Sequence, residues 1–223
     1  MSGTVGRPDM RARQRAAGFL GMVLAIPVAC SWTVAFVCLR LLGFGWLEGV
    51  SLAFIWVCAG VVTFAIPRCP SIEINIGGFI VPNILALRLY GDQLSHLSIS
   101  SCVAVHCVLA ATVFAACRMT RTDAEGGLEL NVLWLCILHA VGVFALSRLL
   151  ALDVAAMTAV GVSTAILGTS IGVDLLHLRS RRAPSNCASG RILGGLGVFD
   201  GISVTAFLSC FLLRSMAFAW MCL

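Results

Sequence analysis

Two carboxylates stand inside apolar sequence. Asp200 lies among glycines in GGLGVFDGI, residues 194–202, with apolar sequence continuing to Leu213, and Asp174 lies in GTSIGVDLLHL, residues 168–178. An ionisable side chain at membrane depth costs at least about 2.5–3.5 kcal/mol on insertion scales, so each is a candidate functional group in need of a partner. Brought close together, two carboxylates cannot both ionise cheaply; they share a proton and activate a water between them. The chemistry this suggests first is an aspartyl intramembrane hydrolase, with Asp174 and Asp200 as the catalytic pair. One would act as base while the other polarises the scissile carbonyl. The alternative is an ion-coupled transporter or carrier, in which the same two residues hold a proton or metal ion. A third reading is a non-catalytic membrane scaffold in which the aspartates only fix helix registry.

Neighbouring residues add binding candidates. On a helix Ser163, Ser170 and Asp174 fall within about 40° of one another, and His177 lies near the same line. Gly197 sits one turn before Asp200 and Ser203 one turn after it. Gly168–Gly172 and Gly197–Gly201 are GxxxG pairs, which let helix backbones approach. Glu73, Asn75, Gly77 and Gly78 belong to a third segment expected at the same end, with Arg191 nearby. Counted along a helix from Arg191, Asp200 lies about 13 Å into the hydrocarbon. Plainer readings stand beside these: Asp174 and Glu73 as interfacial residues, Asp200 as an ion-pair member or the N-cap of a broken helix.

The elements that must position these groups follow from composition. Hydrophobic residues make up 60% of the chain and charged residues 11%, with a mean hydropathy of +1.01. Soluble domains carry about a quarter charged residues, so lipid must be the solvent for most of this surface. Apolar runs of the roughly 20 residues that span a bilayer are expected near 17–39, 46–67, 97–117, 129–148, 154–178 and 192–213. The segment 72–90 carries Gly77, Gly78 and Pro82 and is either a kinked span or a re-entrant loop. All fifteen basic residues are arginine, and their placement arbitrates. If 72–90 crosses and the N-terminus is cytoplasmic, eleven arginines fall inside and four outside; otherwise the split is eight to seven. The expected fold is therefore all-α, a polytopic transmembrane bundle of about seven spans, with six plus a re-entrant segment as the alternative. An arginine-rich cytoplasmic tail, 1–16, precedes a single membrane domain, 17–223, placed in the inner (plasma) membrane.

The expected partners are the lipid bilayer and a membrane-embedded substrate or cation, with no nucleic acid, since no polar domain exists to bind one. The eleven cysteines lie mostly in apolar runs without CxxC and read as small packing residues. No HExxH, metal-ligand spacing or nucleophile elbow is present, so no metal or cofactor is expected. His106 and His139 are mid-span and expected to hydrogen-bond.

Three motifs carry a resemblance. INIGGFIVPNILALRLY, GTSIGVDLLHL and GGLGVFDGI together resemble a family of prokaryotic membrane proteins catalogued as domain of unknown function 1614. The resemblance covers most of the chain after about residue 50 and makes Asn75, Gly77, Gly78, Pro82, Gly172, Asp174, Gly195, Gly197, Asp200 and Gly201 the motif positions. It implies a membrane location and no particular substrate. The glycines before Asp200 are also similar to the Gly-x-Gly-Asp signature of presenilin-like and prepilin peptidases, but here Val198 and Phe199 intervene.

Overall fold

The computed structural model of the chain describes residues 28–66, 69–122, 128–176, 191–193 and 200–222. The arginine-rich tail, the start of the first expected span, most of the 179–191 loop, His177, Gly195 and Gly197 lie outside the described residues. Among those described, the α-helices are α1 (Val28–Leu41), α2 (Trp46–Ala59), α3 (Val81–Leu94), α4 (Ile99–Met119), α5 (Val132–Leu149), α6 (Val154–Thr169) and α7 (Gly201–Met221). A π turn, Ile76–Ile80, leads into α3, and a second, Ser170–Leu175, continues α6. Four segments are long and apolar enough to cross a membrane: Ile99–Met119, Val132–Leu149, Val154–Leu175 and Gly201–Met221; α1 and α2 are shorter apolar helices. The chain is a helical membrane protein by this measure, as its composition requires.

Polar residues set the helix starts, because the first N–H groups of a helix have no partner of their own. Ser98, Asn131, Asp153 and Asp200 each precede an apolar run and accept a backbone N–H from two or three residues on. The apolar runs then fold helically because lipid offers no partner for a bare peptide group. Outward faces stay apolar: Leu149 is 83% exposed, Phe114 68% and Phe218 67%, a surface that suits lipid and not water.

α6 is the axis of the bundle. Every residue from Met157 to Ser170 is buried, and α3, α4, α5 and α7 all pack on it. Its glycines admit the neighbours. A Cβ on Gly168 would lie 2.5 Å from Thr112 Cγ2, and one on Gly172 would lie 2.6 Å from the Val113 carbonyl, so this pair seats α4. Gly161 seats α7, through Leu213.

One end of the bundle carries a small sheet that the sequence reading did not foresee. Strands β1 (Thr63–Ile66), β2 (Cys69–Asn75) and β5 (Arg191–Leu193) form it in the order β1-β2-β5, β1 antiparallel and β5 parallel to β2. A hairpin of β3 (Thr120–Thr122) and β4 (Leu128–Leu130) connects α4 to α5. Three expected spans therefore need correction. In 46–67 the helix stops at Ala59, before Gly60, and Thr63–Ile66, rich in β-branched and aromatic residues, goes to strand. In 72–90 the residues through Asn75 are strand, their apolar and polar side chains alternating with period two. In 192–213 the first residues are strand and the helix begins at Gly201, running on to Met221, past the expected end of the span. Pro82 then explains the first π turn. Proline has no N–H to give the preceding turn, and the chain widens before it, with the Val81 N–H reaching back to the Ile76 carbonyl.

The π turn is wedged against α2. A Cβ on Gly77 would sit 2.3 Å from the Gly60 nitrogen and 2.6 Å from the Trp56 carbonyl oxygen. Gly77→Ala is expected to destabilise by about 1–3 kcal/mol through this backbone overlap. Gly142→Ala, where nothing lies within 4 Å, should leave the melting temperature in detergent unchanged or higher. Equal effects of the two substitutions would disprove the wedge.

Candidate functional site

α6 and α7 run antiparallel along a common seam. Val162 and Ile166 line the same narrow cavity as Ala206, Phe207 and Cys210, and Gly161 lies under Leu213. The same number of residues separates Gly161 from Asp174 as separates Asp200 from Leu213. To within about one helical turn, which the π segment can absorb, Asp174 and Asp200 are level at the sheet end. Both are half-buried.

Asp200 takes the plainer of the roles weighed for it, the N-cap. Asp200 Oδ2 accepts the Ile202 N–H at 3.2 Å and is the N-cap of α7. The depth counted along a helix from Arg191 does not apply, because Arg191–Leu193 is strand. The polar line Ser163–Ser170–Asp174 is interrupted, since the π turn starting at Ser170 changes the angular step. Ser163 spends its hydroxyl on the Val160 carbonyl at 3.1 Å. The glycine pair Gly168–Gly172 draws α4 in rather than α7, and a Cβ on Gly201 would meet only Leu130 Cδ2, at 3.8 Å.

Asn75, Gly77 and Gly78 hold the chain's turn from strand to helix. The Asn75 Nδ2 donates to the Gly60 carbonyl at 2.7 Å and its Oδ1 accepts the Gly78 N–H at 2.6 Å, with the residue 2% exposed. An amide that both donates and accepts inside the fold has little left for a ligand. Glu73 lies half-buried on the central strand, opposite Ala65 and Ile192. Ser170 accepts from Asn83 Nδ2 at 2.9 Å. Ser203 and Thr169 are 0% and 1% exposed, and neither hydroxyl has a hydrogen-bond partner among the described residues.

Two polar groups escaped the sequence reading. Asn83 bridges α3 to α6, donating to the Phe79 carbonyl at 2.8 Å as well as to Ser170. Its signal was an amide inside the apolar run VPNILAL. Thr169 was hidden because a threonine in a helix usually turns back on its own carbonyls. His139 meets its expectation: its Nε2 lies 3.0 Å from Thr164 Oγ1 on α6. That hydroxyl already donates to the Val160 carbonyl at 2.7 Å, so the histidine is the donor and carries its proton on Nε2. Among the described residues no group of three or more His, Cys, Asp or Glu could hold a metal ion.

Asn83→Leu removes the α3–α6 bridge and is expected to cost about 1–3 kcal/mol. Combined with Ser170→Ala, the loss should be smaller than the sum of the single losses, measured by thermal unfolding. Strict additivity would show that the two side chains do not interact.

With this geometry in place, comparison with known proteins gives one match. The family described as "Protein of unknown function (DUF1614)" matches residues 54–212. No curated protein and no solved structure matches the chain. The matched stretch runs from within α2 to the middle of α7 and takes in the sheet, both π turns and both aspartates. The chain belongs to the DUF1614 family.

Proposed function

We propose that the chain is a multi-pass protein of the plasma membrane that carries a small cation, with Asp174 and Asp200 supplying the negative charge. What supports this reading is the end where α3 and α6 both open into π turns, tied together by Asn83 and Ser170, with the two carboxylates at one level by residue count along the antiparallel helices. A π turn takes backbone carbonyls off the regular helical ladder, and interrupted helices beside carboxylates are the construction secondary transporters use for cations. The hydrolase reading has less support. Asp200 commits an oxygen to the cap of α7, and an oxygen so committed is poorly placed to share the proton and water of an aspartyl dyad.

The sheet end is the cytoplasmic one on this reading. Arg118, Arg121 and Arg191 lie at that end, and Arg40, Arg88, Arg148 and Arg214 belong to the half of the bundle away from it. Together with the N-terminal and 179–182 arginines, this is the positive-inside pattern with the N-terminus in and the C-terminus out.

Asparagine caps a helix about as well as aspartate, so Asp200→Asn removes the charge and keeps the cap. In proteoliposomes with an entrapped pH dye, added NaCl or KCl should dissipate an imposed proton gradient. Asp174→Asn and Asp200→Asn should each slow this at least about tenfold, the 1.4 kcal/mol equivalent of one lost charge contact. Wild-type liposomes no leakier than empty ones would sink the carrier. Cleavage of a model transmembrane peptide, abolished in either variant, would select the hydrolase instead.

The orientation has its own check. Alkaline phosphatase fused after the C-terminus should be active in a bacterial host, and the same reporter fused after Arg121 should be silent. The reverse result would place the sheet end outside.

A further inference from the structure

We infer that the seam between α6 and α7 holds a sodium-ion site built from Thr169 Oγ1, Ser203 Oγ and the carboxylate of Asp200. The seam has a regular pattern. Val162 and Ile166 of α6 and, running in the opposite direction, Cys210 and Ala206 of α7 line one narrow cavity. Helical spacing carries the pattern one turn further and sets Thr169 against Ser203.

The two hydroxyls break a rule their neighbours keep. Thr158, Ser163, Thr164 and Thr205 each donate to a carbonyl of their own helix, the usual resort of a hydroxyl in an apolar bundle. Thr169 Oγ1 and Ser203 Oγ are fully buried and have no partner among the described residues. Another such serine, Ser209, lies beside Cys136 on the α5 side of α7 and not in this seam. A buried hydroxyl without a partner is unfavourable in a bundle bathed by lipid, so two of them facing each other point to a guest.

The third ligand fixes what the guest is. Asp200 caps α7 through the Ile202 N–H, so its carboxylate lies at the same first turn of the helix as Ser203. The carboxylate has lone pairs beyond the one that caps Ile202. Neutral hydroxyls and a carboxylate are hard oxygen donors, which suit an alkali cation and not a soft transition metal. One full charge between short side chains, beside the small Ala206, fits a compact monovalent ion better than a large or divalent one. The site rests on the carrier reading for its use in coupling, whereas occupancy by sodium is independent of any flux.

The experiment uses the full chain in detergent at constant ionic strength, with choline chloride exchanged for NaCl or KCl and thermal unfolding as the readout. Sodium should raise the melting temperature in a saturable way and choline should not, since a ligand that binds only the folded state stabilises it. Thr169→Val and Ser203→Ala should each raise the half-saturating sodium concentration at least tenfold, and Thr169→Ser should restore it. Should the valine variant fail to fold, Ser203→Ala with the Thr169→Ser control carries the test. Sodium no better than choline in the wild type, as a merely hydrated seam would give, overturns the site. So does an unchanged half-saturation in the hydroxyl variants. Sodium binding without cation-driven proton flux would leave the site standing and remove the carrier; flux without sodium stabilisation would do the opposite.

Discussion

The bundle depends on keeping α6 out of both lipid and water. Between membrane helices apolar burial supplies no net drive, because lipid tails are as apolar as leucine; close packing and hydrogen bonds must do the work. α6 meets that demand with glycines at three levels, seating α7 at Gly161 and α4 at Gly168 and Gly172. Apart from Thr169, its hydroxyls return to its own carbonyls or meet polar groups from outside, as Thr164 meets His139 and Ser170 meets Asn83. The same constraint acts at the far end, where Arg214 of α7 donates to the carbonyl of Leu41, the last residue of α1.

The sheet end is where this regularity gives way. Pro82 cannot donate to the preceding turn, and the chain answers with a π turn clamped onto Gly60 by Asn75 and Gly77. α6 widens in the same way over Ser170–Leu175, beside the end of α4. Asn83 joins the two irregular regions. Each interruption takes backbone groups out of their ladder in a place where lipid cannot replace the lost bonds. This is why the carboxylates draw a functional reading even though one of them also caps a helix.

That cap changes the meaning of Asp200. A carboxylate reached by counting along an unbroken helix would be an isolated charge deep in hydrocarbon. As the residue that starts α7, it is held by backbone N–H groups and sits where chain direction changes. Family membership adds that the matched region contains both aspartates, and leaves the chemistry to be argued from the site itself.

Much of this protein was legible in its residues. Hydropathy alone dictated helices solvated by lipid, since no other arrangement satisfies so many backbone groups without polar side chains. The arginine spacing sorted the loops into two groups, and the motifs around Asn75, Asp174 and Asp200 sufficed to suggest the family. What the chain could not reveal by itself depends on neighbours distant in sequence. The strand character of 63–66 and 69–75 is realised by pairing, in part with Arg191–Leu193 from the other half of the protein. Which helix a glycine admits depends on the partner's bulk, so Gly168–Gly172 turned out to serve α4 and not α7. Whether a serine or threonine is satisfied depends on which carbonyls and side chains lie across the seam, and so Thr169 and Ser203 acquired their significance only when α6 and α7 were packed together.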